Sequence, residues 1–143
     1  MTNFATVKSI TDNLQSVLKT QGIHFDRKVF EDDKNIPASF FPCGEIFYNG
    51  EEFEYTHGER PGYAEINYGL RVMLQERDPV DAMREQQKWA HKIREALTVS
   101  AMNVTDLAAS KLVSRVTTEA VDVDNLSARA VLNYRLKVRY REA

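Results

Sequence analysis

A single cysteine, Cys43, rules out an internal disulfide, so nothing marks a small secreted scaffold held by cross-links. No apolar run comes near the roughly 20 residues that would span a bilayer, which argues against a membrane protein. Lysine and arginine total 19 against 21 aspartates and glutamates, for a net charge of −2, and so small a balance gives no bulk attraction to nucleic acid or an anionic membrane. The three histidines His24, His57 and His91 show no spacing that would hold a metal. Asn3, Thr6, Lys8 and Asp12 interrupt the first apolar residues, unlike a signal peptide. A soluble chain made in a reducing cytoplasm is expected.

The sequence is rich in apolar residues and in periodicity. Of its 143 residues 43% are hydrophobic and 28% charged, the profile of one globular domain over 1–143. Val7, Ile10, Leu14, Val17 and Leu18 fall on one helical face, with Thr2 or Asn3 as cap and Gly22 as stop. Ile23 and Phe25 suggest a short strand, and Glu31 to Asn35 a loop. From Tyr63 to Gln75 the pattern alternates: Ala64, Ile66, Tyr68, Leu70, Val72 and Leu74 on one side, Glu65, Asn67, Gly69 and Arg71 on the other. Asp78-Pro79 with Asp81 is a strong helix start. The helix carries Ala82, Met83, Trp89, Ala90, Ile93, Ala96 and Leu97 as its apolar stripe.

Asn49-Gly50 predicts a tight hairpin turn with arms Glu45 to Tyr48 and Glu51 to Tyr55, and Thr56 to Gly62 a mobile connection. Beyond Leu97 the pattern weakens, with a helical turn placed at Thr105. Leu112 to Val123 reads as extended and Asp124 to Ser127 as a turn. Ala128 to Tyr140 then alternates apolar residues with Arg129, Arg135, Lys137, Arg139 and Arg141. Together these predict an α+β fold, a curved antiparallel sheet with two main helices on one face. At about 3.3 Å per residue the two long strands reach roughly 43 Å, enough to cross a compact domain of roughly 35–40 Å.

Candidate chemistry is thin. Cys43 as a nucleophile lacks a recognisable base, and a structural thiol is the simpler reading. Glu51, Glu52, Glu54 and Glu59 lack a calcium-loop pattern. No catalytic residue, metal or cofactor is therefore expected. Phe40, Phe41, Phe47, Tyr48, Phe53 and Tyr55 are either a protomer interface or ordinary sheet packing. The basic face of the last strand either touches phosphates or is a solvated face that discourages aggregation.

The order of elements, the length, and the closing "RAVLNYRLKVRYRE" at 129–142 resemble the tail terminator, or tail-completion, proteins of long-tailed bacteriophages. The resemblance implies a non-enzymatic virion protein, made in the host bacterial cytoplasm. It would form a hexameric ring, cap the tail tube, and contact tail-tube and head-tail connector proteins. It implies no membrane and no sequence-specific nucleic acid as partner. The basic strand would then face a ring channel or a neighbour's acidic surface at Glu51, Glu52 and Glu54. A phage neck connector or stopper, a small hydrolase and a nucleic-acid-binding domain are the alternatives.

Overall fold

The structure, a computed structural model, describes residues 3–25, 40–55, 58, 62–74, 78–103, 112–126 and 129–141. Helix α1 (Asn3–Thr20) buries Thr6, Ile10, Asn13, Leu14 and Leu18 along one face. It ends at Gly22, whose φ of +99° suits a residue without a Cβ. The amides of Gly22 and Ile23 reach back to the carbonyls of Lys19 (2.9 Å) and Leu18 (3.3 Å), which satisfies the helix end. The short strand expected at Ile23 to Phe25 is reduced to one parallel bridge, His24 with Cys43.

Strands β1 (Cys43–Glu54) and β2 (Tyr63–Met73) pair antiparallel. The hairpin turn expected at Asn49-Gly50 is not there. Tyr48 pairs with Tyr68 and Glu51 with Ile66, so three steps on β1 meet two on β2 and the extra residue is a bulge within one strand. A bulge, like a tight turn, can use a residue at positive φ, here Gly50 at +95°. Lying along β2 lets both arms use an eleven-residue partner rather than each other. The true β1–β2 connection is the segment expected to be mobile. Of it only Gly58 and Gly62 are described, and the Gly62 amide donates to the Glu54 carbonyl at 2.9 Å.

Helix α2 (Pro79–Ala96) begins as expected, with Asp78 Oδ1 accepting from the amides of Val80 (3.0 Å) and Asp81 (3.3 Å). Its buried line is Ala82, Trp89, Ile93 and Leu97. Met83 is exposed, because one residue's rotation of about 100° carries it off that line. Gln86 takes the seam instead, donating to the Val131 carbonyl at 3.4 Å. The later helical turn is α3 (Val99–Met102), capped by Thr98, whose hydroxyl accepts from the Ala101 amide at 3.1 Å. Thr105 lies outside the described residues.

Strands β3 (Val113–Leu126) and β4 (Arg129–Arg141) complete the sheet. Pairing continues to Leu126 with Arg129, so the turn expected from Asp124 is strand up to Leu126. The order is β1-β2-β4-β3, antiparallel throughout. β2 and β3 therefore run the same way, and the crossover between them carries α2 and α3 over one face. That face supplies Ile66, Tyr68, Leu70, Val72, Leu132, Tyr134, Leu136 and Val138 to a single cluster with Ile10, Leu14, Trp89 and Ile93. The fold is α+β with an open antiparallel sheet. No helix among the described residues is long and apolar enough to cross a membrane.

Candidate functional site

Strand β1 is a sheet edge, and its alternation separates the six aromatics of this region. Phe40 and Phe41 are half-buried over a small second core of Cys43, Met73 and Val131. Those three residues share the sheet face turned away from the helices, at one end of β1, β2 and β4. Phe47 pairs with Gly69 on the same outer face, where the Arg71 guanidinium lies 5.8 Å from its ring centre. Tyr48 and Phe53 pair with Tyr68 and Ala64 on the helix-covered face, beyond the reach of the helices, and both are more than half exposed. Tyr55, just past the strand, is also exposed. The aromatics are thus two exposed sets and one half-buried pair.

Around Glu51 the helix-side corner is ordered by hydroxyl groups. The Tyr48 hydroxyl donates to Glu51 Oε2 at 2.5 Å and the Tyr140 hydroxyl to Oε1 at 2.8 Å. Losing that proton beside a carboxylate is unfavourable, so the Tyr48 phenol is held above its ordinary pKa. One turn inward, Thr11 donates to the Val7 carbonyl at 2.9 Å, so Tyr68 is the donor in its 2.8 Å contact with the Thr11 hydroxyl. Burial pushes the Tyr68 phenol up to about 12.

The basic strand faces the other way, and it meets its own chain. Lys137 Nζ lies 3.6 Å from Glu52 and 3.7 Å from Glu65, Arg139 lies 2.9 Å from Glu54, and Arg115 lies 3.0 Å from Glu65. The Arg139 guanidinium also stacks 4.2 Å above the centre of the Tyr63 ring. Glu52 and Glu54 were expected to offer an acidic surface to a neighbour; in this fold they sit opposite Lys137 and Arg139 of the same protomer. Glu51, grouped with them by sequence, is on the opposite face. Arg135 and Arg141 are exposed, and the Arg129 side chain lies outside the described residues.

Cys43 is fully buried beneath Phe40 and Phe41, and the ring of its bridge neighbour His24 lies 5.2 Å from Phe40. Glu59 and His57 are outside the described residues. No cluster of three or more His, Cys, Asp or Glu among the described residues is arranged for a metal. The groove between Glu52, Glu54, Tyr63, Arg115 and Arg139 encloses about 130 Å³, below the 300 Å³ or more usual for small-molecule sites. A second groove of about 310 Å³ lies over Gly69, between Phe47, Arg71 and Asn133.

Phe4 is outside the apolar stripe expected on α1, and among the described residues it is the most exposed large hydrophobic one, at 77%. The signal was present: Phe4 lies off the stripe of Ile10, Leu14 and Leu18, on the flank of Thr11 seven residues on. No protein-family model and no curated protein sequence matches this chain.

Proposed function

We propose that this protein is a structural, non-enzymatic component of a long-tailed phage particle, made in the bacterial cytoplasm, that closes into a ring on the tail tube. The observation that carries the reading is the edge strand β1, with Tyr48, Phe53 and Tyr55 exposed at an open sheet edge. Exposed aromatics clustered on such an edge are surface that a partner is expected to cover. The resemblance in element order and closing strand supplies the identity of the partner. The buried Cys43 thiol fits a binding role better than a hydrolytic one. Lys137 and Arg139 already face carboxylates, which does not favour nucleic acid.

The test is the mass of the protein in solution, alone and with tail-tube protein, followed by electron microscopy of the mixtures. Closed rings seated on tube ends are expected. Binding to a portal assembly instead of tubes would make it a neck connector, and open fibres or a monomer indifferent to both would sink the reading. A hydrolytic activity lost on Cys43→Ala would return it to the enzymes.

A further inference from the structure

We infer that the helix-side corner of β1 is one half of a head-to-tail contact, and that its other half is the opposite edge of a second copy of this chain, where α2 overhangs β3. The inference deepens the ring reading and rests on it only in taking the partner to be another copy.

The first half is built from Phe4, Tyr48 and Phe53. Thr11 meets Tyr68, which pairs with Tyr48, so the Thr11 flank of α1 is the flank over β1. Phe4 is on that flank two turns earlier. The helix runs toward Cys43 at its far end, through Ile23 and the His24 bridge, so Phe4 lies toward the Phe53 end. At exposures of 77%, 56% and 52%, three aromatics of about 200 Å² each present roughly 350–400 Å². That is close to half of the about 800 Å² one partner gives to a stable interface. The carboxylate of Glu51 sits among them, and β1 carries no lysine or arginine.

The second half is built from Met83, Val121 and Val123. The Trp89 and Ala96 side of α2 faces α1, since Trp89 lies against Gly22 and Ala96 shares a groove with Asn13 and Val17. Met83 is on the other flank, with Ala90, whose carbonyl accepts from the Tyr134 hydroxyl of β4. Val121 pairs with Tyr134 and Val123 with Leu132, so both lie on the helix side of β3, at that flank. Met83 is 52% and Val123 64% exposed. Arg94 borders this surface on α2, close enough for its charge to act on the Tyr134 phenol that pairs with Val121.

The two surfaces are complementary: aromatics around a carboxylate on one, aliphatics bordered by the Arg94 guanidinium on the other. They lie at opposite edges of one sheet, so neither can satisfy the other within a protomer. Different patches in contact make a heterologous interface, which closes into a ring when the rotation between neighbours allows it and otherwise runs on as a fibre.

The test uses two double variants, Phe4→Ser with Phe53→Ser, and Met83→Asp with Val123→Asp, on exposed positions so that folding is kept; circular dichroism and thermal midpoint check this. Sedimentation should give a multimer for the wild type and a monomer for each variant. Mixing the two variants should restore only a one-to-one dimer, because each keeps one intact half. Arg94→Glu should also weaken assembly, as should added salt. A wild type that stays monomeric in solution overturns the inference, as does a variant that assembles like the wild type, or a mixture that stays monomeric. Multimers that obey this pattern but ignore tail tubes would keep the interface and remove the tail reading.

Discussion

The Tyr140 hydroxyl on β4 donates to the Glu51 carboxylate on β1 at 2.8 Å, although β2 lies between the two strands. Tyr140 pairs with Ala64, and Ala64 with Phe53, so the small side chain of Ala64 leaves the gap through which the ring reaches β1. A hydrogen bond to a charged acceptor contributes about 1.5–3 kcal/mol, less here because Tyr48 holds the same carboxylate from the solvent side. A double-mutant cycle of Tyr140→Phe and Glu51→Gln should give a coupling of about 1 kcal/mol in urea unfolding. Additive losses would mean that the contact does not stabilise the fold.

Gly50 is the test of the bulge. Its φ of +95° disfavours any side chain, while no atom of the described residues lies within 4 Å of where a Cβ would be. Gly50→Ala should therefore destabilise by about 1–2 kcal/mol through backbone strain alone. Gly44→Ala should also destabilise, for a different reason. There the added carbon would sit 3.1 Å from the Arg71 carbonyl oxygen and from the Phe25 ring, so it is crowding that costs. A Gly50→Ala protein as stable as the wild type would refute the strained bulge.

Local signals were legible where one stretch of chain decides the outcome. Asp78-Pro79 starts α2 and Gly22 ends α1, and the alternation of β4 sets its buried face, because caps and periodicity involve only near neighbours. Asn49-Gly50 misled because positive φ serves a hairpin and a bulge alike, and only the continuous partner β2 distinguishes them. The pairing of Lys137 and Arg139 with Glu52 and Glu54 was hidden for a similar reason. It depends on the order β1-β2-β4, which no local pattern encodes. The corner formed by Phe4, Tyr48 and Phe53 required knowing which helix flank lies over which strand.

Two buried tyrosines set an alkaline limit. Burial pushes Tyr68 up to about 12 and Tyr134 further in the same direction, against about 10 in an unfolded chain. Above pH 10 the unfolded state has released protons that the folded state still holds, so stability falls as pH rises. The contribution is complete below pH 10 and is lost between roughly pH 10 and 12, by about 2 kcal/mol for Tyr68. Urea midpoints across that range should fall, and Tyr68→Phe should flatten the fall. An unchanged slope in Tyr68→Phe would show that its phenol does not govern this loss.

The final strand separates structural cations from available ones. Arg139 stacks on Tyr63 and pairs with Glu54, with its side chain 26% exposed. Partly exposed ion pairs contribute up to about 1 kcal/mol, and the stacked guanidinium adds a similar amount. Arg139→Ala should therefore lower stability by about 1 kcal/mol and leave assembly size and its salt dependence unchanged. Arg135 pairs in register with Gly69, which offers it no side chain, and it projects from the same outer face into solvent. Arg135→Ala should leave stability within about 0.5 kcal/mol of the wild type. If the outer face lines a ring channel or meets a tube, the same change should weaken binding to tail tubes and reduce its salt dependence. Unfolding curves and tube co-sedimentation across a salt series read the two effects separately. If Arg139→Ala is neutral for folding but abolishes assembly, the in-chain ion pairs are not what the basic strand is for.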